Sequence, residues 1–208
     1  MTTRIGIISD PHADPDPVAE AINIFHREGV SHILCAGDIG GYNDRLDETI
    51  ALLQQNKVLA IRGNHEEWAL QQESFPGSAN SRDYFASLPN HLNLTIEGVR
   101  LYMVHAEPPD KMEKGLRLFD QNGEVLPAVM AEWHERLEEF GHDVLILGHT
   151  HQAFDIQLAD TLVLNPGSTA YNHSCAVLRL PEKSVEWFGL SGKEIERIWN
   201  WGRHRTQL

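Results

Sequence analysis

Five short apolar runs constrain this chain more than anything else in it, because each ends on a side chain that can bind or carry a charge. The runs are 4–9, 32–36, 58–61, 99–104 and 144–147. Their first polar neighbours are Asp10 and His12, Asp38, Asn64 and His65, His105, and His149 and His151. A short apolar run bounded by turn residues reads as a buried strand. In α/β sheets the loops at the carboxyl ends of strands converge on one crevice, where ligands bind. The chain therefore has to fold so that these five ends meet, or their pattern is an accident. Each residue alone has a plain structural explanation: Asp10, Asp38 and Asn64 could cap turns or helices, and His105 could be a satisfied rim histidine. With 12 histidines in 208 residues, even the His149-x-His151 pair is near chance. The weight lies in all five ends agreeing.

Between the first three runs lie two amphipathic stretches. Asp16 with Pro17 can start a helix whose Val18, Ile22 and Phe25 share a face and which Gly29 ends. Leu46, Ile50 and Leu53 mark the buried side of a second. The strand–helix–strand–helix–strand order predicts right-handed crossovers and a largely parallel sheet. Short helical segments are expected near Trp68 to Leu70 and Tyr84 to Leu88, then a hairpin of 91–96 and 99–104 about Glu97-Gly98. Residues 106–126 have loop composition. Pro127 opens a helix with Met130, Trp133, Leu137 and Phe140 as its apolar stripe, closed by Gly141. Strands are expected at 154–158, 162–165, 175–180 and 185–188, with a sharp turn at Asn165-Pro166-Gly167-Ser168. The tail from Gly192, with Trp199 and Trp201, reads as either helix or extended chain. No repeat or linker divides 1–208, so a single domain is expected.

Composition narrows the partners. The net charge of −13 argues against polymeric nucleic acid, whereas a small phosphorylated molecule remains compatible if metal ions supply local positive charge. Cys35 and Cys175 lie in apolar runs and read as buried free thiols. No run reaches the ~20 residues of a membrane span, and no leader pattern precedes the first strand. A cytoplasmic setting without membrane association is expected, and nothing in the pattern fixes an oligomeric state.

Carboxylates, imidazoles and one carboxamide form the mixed oxygen and nitrogen shell that borderline divalent ions prefer. A bridging carboxylate can hold two such ions ~3.5–4 Å apart, the spacing of metal-assisted phosphoester hydrolysis. Gly37-Asp38 and Gly63-Asn64-His65 place a small residue where the backbone has to turn beside such a site.

In order along the chain, Asp10-x-His12, Gly37-Asp38, Gly63-Asn64-His65-Glu66, His105 and Gly148-His149-Thr150-His151 resemble the motifs of the calcineurin-like metallophosphoesterase superfamily. The short form, with Asn165-Pro166-Gly167-Ser168 after the last histidines, looks most like its small bacterial and archaeal phosphodiesterases. The resemblance implies an α/β fold, a two-sheet β-sandwich flanked by helices on both outer faces. It implies a first metal held by Asp10, His12, Asp38 and His151, and a second held by Asp38, Asn64, His105 and His149. The ions would be manganese foremost, with iron, nickel, cobalt or zinc as alternatives. His65 would be the catalytic residue, general acid or stabiliser of the transition state, while a metal-bridging hydroxide attacks a small phosphate ester. Departures from the family pattern include Ala13 after His12, Glu66 after Asn64-His65, and Ala106 after His105. The Asp-Arg-Gly continuation of Ser/Thr protein phosphatases is absent after Gly37-Asp38.

For the substrate mouth, Tyr42, Trp68, Phe75 and the 106–126 loop are the candidate walls, and Arg45 and Arg82 the candidate phosphate contacts. The alternatives are a phosphomonoesterase, a nucleoside-polyphosphate hydrolase or a protein phosphatase on the same site. A non-catalytic trafficking-type scaffold is the alternative from another class.

Overall fold

A computed structural model describes residues 2–200, so Trp201 lies outside the described residues. Ten strands and five helices are present among them. The first sheet contains β1 (Thr3–Ile8), β2 (His32–Cys35), β3 (Leu59–Ala60), β9 (Ser174–Leu180) and β10 (Ser184–Gly189), in the order β10-β9-β1-β2-β3. The second contains β4 (His91–Ile96), β5 (Val99–Val104), β6 (Val144–Ile146), β7 (Ala153–Leu158) and β8 (Thr161–Pro166), in the order β4-β5-β6-β8-β7. The helices are α1 (Pro15–Arg27), α2 (Leu46–Gln55), α3 (Asn64–Gln71), α4 (Ala79–Ser87) and α5 (Pro127–Leu137).

Strand alternation builds the layers. Side chains one apart on a strand point to opposite faces, and here both faces are apolar. On β2 and just after it, Leu34 and Ala36 join the cluster between the sheets, while Ile33 and Cys35 pack outward with α1 and α2. On β6 and just after it, Val144 and Ile146 face the other sheet, while Leu145 and Leu147 face Trp133 and Leu137 of α5. Strands buried on both faces read as continuous apolar runs, which is why their ends stood out in the sequence. The outcome is a β-sandwich with helices on both outer faces. Cys35 and Cys175 are buried free thiols within it.

Four local expectations need correction. Each sheet is mixed: β1-β2-β3 are parallel, but β9 and β10 add antiparallel strands to them. Three parallel strands leave an open edge beside β1, and the returning chain fills it with a hairpin. The cap of α1 is Asp14, whose side chain accepts from the Asp16 N–H, and Pro15 rather than Pro17 enters the helix first. Both prolines fit because first-turn N–H groups have no intrahelical partner. Strand β3 is shorter than the apolar run because Val58 donates its N–H to Leu53 O, closing α2. Helix α5 ends at Leu137, before Phe140 and Gly141.

The 106–126 segment lacks regular structure but is docked. Leu116 and Leu118 are buried, and the Gln152 side chain bonds both Phe119 N and Phe119 O at 3.0 and 2.8 Å. The Thr150 hydroxyl donates to Leu116 O at 3.1 Å. Thr150 and Gln152 thus anchor this loop, while His149 and His151, which alternate with them, line the cavity on the other side. The tail up to Asn200 is without helix or strand from residue 190 onward.

Candidate metal centre

The parallel strands β1, β2, β3, β5 and β6 all deliver their carboxyl ends to one place. Asp10, His12, Asp38, Asn64, His105 and His151 are buried there, 0–4% exposed. Five of the predicted ligands are held in the left-handed backbone region: Asp10, His12, Asp38, His149 and His151, with φ between 46° and 63°. A non-glycine residue there is uncommon, and the strain survives only where surrounding structure over-determines it. Hydrogen bonds supply that here. Asp10 N and His12 N donate to Gly37 O and Asp38 O at 3.0 and 3.1 Å, tying the β1 and β2 loops together. Ser168 of the Asn165-Pro166-Gly167-Ser168 turn donates its hydroxyl to Asp10 O at 2.6 Å, and the Asn165 amide donates to Gly148 O at 2.8 Å. That turn therefore fastens the first and last ligand loops.

Glu66 has a different task from the one its position suggests. Its buried carboxylate accepts from the N–H groups of Asp38 and Gly63 through Oε2, at 2.9 and 2.7 Å, and from Gly40 through Oε1 at 2.9 Å. It joins the β2 and β3 loops and does not orient His65. His65 is set by ring contacts with His12 (4.8 Å), Tyr42 (4.8 Å) and Trp68 (5.0 Å), and its backbone N–H donates to Asp38 Oδ1 at 3.0 Å.

Among the described residues, three groups each bring their potential ligand atoms within 4.8 Å of one another: Asp10, His12 and His151; Asp38, His105 and His149; and His12, Asp38 and His65. The third shares His12 with the first and Asp38 with the second, so the clusters adjoin. Asn64 Oδ1 completes the second cluster, 3.1 Å from His105 Nε2 and 2.9 Å from His149 Nδ1.

Whether these groups suit metal ions can be decided from their protons. His12 Nδ1 lies 3.1 Å from Gly40 O, and His151 Nδ1 lies 3.3 Å from Asn200 O. Carbonyl oxygens only accept, so each Nδ1 carries a hydrogen and Nε2 is the atom turned to the site. Those two Nε2 atoms are 2.9 Å apart, and Asp10 Oδ1 is 3.2 Å from the second. His105 repeats the pattern, with Nδ1 against Ala36 O at 2.7 Å and Nε2 turned to Asp38 Oδ1 at 3.2 Å. Acceptors converging in this way draw positive charge between them, as a proton or a metal ion, and the backbone carbonyls leave Nε2 as the atom that meets it.

The groups divide by ionisation. Burial, helped by His151, drives His12 down to about 3, and burial with His105 drives His149 down to about 4, so both rings are neutral near pH 7. Burial opposes ionisation of Asp10 and Asp38, but His151 and His105 respectively hold the two carboxyls below their usual range. Burial resists, and the Asp38 carboxylate outweighs it, in raising His105 to about 10. Burial lowers His65 against the pull of Asp38.

A cavity of about 190 Å³ opens on these residues, walled further by Tyr42, Trp68, Arg117 and Trp199. Arg45 and Arg82 are not brought to it. The Arg45 guanidinium is held by Asp16 and Glu48 at 2.9 and 2.7 Å, and Arg82 sits over the Phe75 ring and bonds Leu70 O. Phe75 packs on Phe85 and is likewise no part of the wall. The cation missing from the sequence reading is Arg117, stacked 4.3 Å over Trp199. Its signal was present: a lone arginine between Leu116 and Leu118 in a loop already expected to form a wall.

Residues 3–181 match the calcineurin-like phosphoesterase superfamily domain. The chain belongs to that superfamily. A "probable metallophosphoesterase" of Methanothermobacter thermautotrophicus is 31% identical over 196 residues, covering 92% of this chain and 88% of the relative. A phosphodiesterase of Methanocaldococcus jannaschii is 23% identical over 164 residues, covering 79% and 82%. Among solved structures, a metallophosphoesterase from Sphaerobacter thermophilus superposes with a TM-score of 0.72 at 19% identity, covering 91% of this chain and 89% of that one. The chain is thus a calcineurin-like phosphoesterase in sequence and in fold, a family of metal-dependent hydrolases. No helix among the described residues of this phosphoesterase is long and apolar enough to cross a membrane.

Proposed function

We propose that this phosphoesterase works with two divalent metal ions and hydrolyses small phosphodiesters. The carrying observation is the pair of facing acceptor clusters, Asp10 with His12 and His151 against Asp38 with His105 and His149, within reach of one another through His12 and Asp38. Asp10, His12, Asp38 and His151 would hold one ion, and Asp38, Asn64, His105 and His149 the other. Divalent ions there would supply Lewis acidity to the phosphoryl group and acidify nearby water. Manganese suits this mixed nitrogen and oxygen set, as do iron, nickel, cobalt and zinc.

The chain's own residues do the rest. His65, beside Asp38 on the cavity wall, donates a hydrogen bond to the phosphoryl or departing oxygen, where charge grows in the transition state. Arg117 is the only lysine or arginine lining the cavity among the described residues. One cation matches the single negative charge of a diester better than the double charge of a monoester. The filled ligand set also argues for an enzyme over a trafficking-type scaffold, and a cavity of this size favours small substrates over phosphoproteins. A net charge of −13 keeps polymeric nucleic acid an unfavourable partner, and a cytoplasmic setting accords with two reduced, buried thiols.

After chelation and reloading with Mn, Fe, Ni, Co or Zn, the protein should turn over bis-p-nitrophenyl phosphate faster than p-nitrophenyl phosphate. Asp38→Ala should remove both bound metal and turnover. Absence of turnover with every metal would refute the enzyme reading.

A further inference from the structure

The metal cavity has a neighbour. Asn64 and Trp68, one helical turn apart on α3, line it on one side and line a second cavity of about 390 Å³ on the other. The second cavity is completed by Glu67 and by the loop side chains Lys111, Met112, Glu113 and Lys114.

Trp68 is 48% exposed. Its ring rests tilted against His65 at 5.0 Å, and among the described residues its indole N–H has no hydrogen-bond partner. A large aromatic left half in water, between a phosphate-sized cavity and a larger one, offers a flat ligand an apolar surface to cover. The charges around the larger cavity balance: Lys111 and Lys114 stand against Glu67 and Glu113. Two of these are already engaged, Lys111 with Glu107 at 3.2 Å and Glu67 with Arg62 at 3.1 Å. Lys114 and Glu113 have no ion-pair partner among the described residues, leaving one donor and one acceptor at the rim. Met112 adds a flexible apolar contact. Such a wall disfavours a second phosphate and suits a neutral, planar group with polar edges.

We propose that the second cavity takes the base of a nucleotide-type phosphodiester whose phosphate occupies the metal cavity, with Trp68 as the stacking platform. This rests on the phosphodiesterase reading above and specifies its substrate class. Hydrolysis adds water across one P–O bond: the oxygen goes to phosphorus, the proton balances the departing alcohol, and the nucleoside monophosphate remains. Trp68 binds the half of the substrate that stays with phosphorus. Its contact with His65 couples base binding to the residue facing the reacting oxygen.

The test compares thymidine 5′-(p-nitrophenyl phosphate) with methyl p-nitrophenyl phosphate, which share a leaving group, on the metal-loaded protein. One base–aromatic stack corresponds to a preference of about ten-fold or more in kcat/KM for the nucleotide. Trp68→Ala should bring the ratio close to one, mainly through KM of the nucleotide, and Trp68→Tyr should keep much of it. Any damage to His65 affects both substrates and cancels in the ratio. Calorimetry gives a readout without turnover: thymidine 5′-monophosphate should bind more tightly than ribose 5-phosphate, and Trp68→Ala should lose the difference. Equal turnover of both substrates, or a preference that survives Trp68→Ala, overturns the nucleotide assignment and leaves the phosphodiesterase reading intact. If wild type turns over neither, the phosphodiesterase reading fails and the proposed substrate class falls with it.

Discussion

Replacing Glu66 tests how the metal loops are held. Its carboxylate serves three backbone donors, two on Oε2 (Asp38 N, Gly63 N) and one on Oε1 (Gly40 N). The residue is fully buried, so water cannot replace what a substitution removes. A buried donor left unsatisfied costs about 1–3 kcal/mol. Glu66→Ala orphans all three, a loss of about 3–9 kcal/mol against a total stability of about 5–15 kcal/mol for a typical protein. Glu66→Gln is the sharper experiment. Its single oxygen can stay on the two-donor side, leaving only Gly40 N–H to face an NH₂ group. The expected loss is therefore about 1–3 kcal/mol, or a urea midpoint lower by roughly 1 M for a slope of 1–3 kcal/mol/M. Because the orphaned donor lies between Asp38 and Tyr42, Glu66→Gln should also weaken metal retention during dialysis. Urea unfolding and metal analysis on the same preparation measure both. An unchanged midpoint with unchanged metal content would mean that the two loops hold themselves and the clamp is wrong.

His65→Ala should keep two ions per chain by metal analysis, while turnover drops about 10²-fold or more; loss of metal would make His65 a ligand. Gly6→Ala should destabilise by about 1–3 kcal/mol in denaturant unfolding, since a Cβ there would sit 2.6 Å from the buried Phe25 ring. Asp143, bonded by the Arg100 side chain and by Arg100 N–H, is lowered from 3.8 to about 2. Its contribution is present above pH 4 and lost as pH falls towards 2. Asp143→Asn should remove ~1 kcal/mol of that acid-range slope, discounted for partial exposure, as followed by unfolding between pH 2 and 5.

The sequence by itself carried the positions of the side chains that cluster. Asp10, His12, Asp38, Asn64, His105, His149 and His151 stand at the ends of apolar runs, and strands buried on both faces have no choice but to read that way. It carried the hairpin of β4 and β5 as well, because turn residues and strand alternation are local. The tertiary structure decided how the ends meet. The antiparallel β9 and β10 beside β1 depend on which edge a returning chain finds open, which no local pattern encodes. Arg45 looked like a phosphate contact, yet Asp16 and Glu48, separated from each other by 32 positions in sequence, hold it elsewhere. Arg117 looked like loop composition until Leu116 and Leu118 were buried on either side of it. Glu66 followed a ligand motif, but its role was set by three N–H groups from two loops that only the fold brings together. Side-chain chemistry and spacing are properties of the chain, whereas an unpaired donor or a shared cation is a property of distances, and distances exist only once the two sheets have packed.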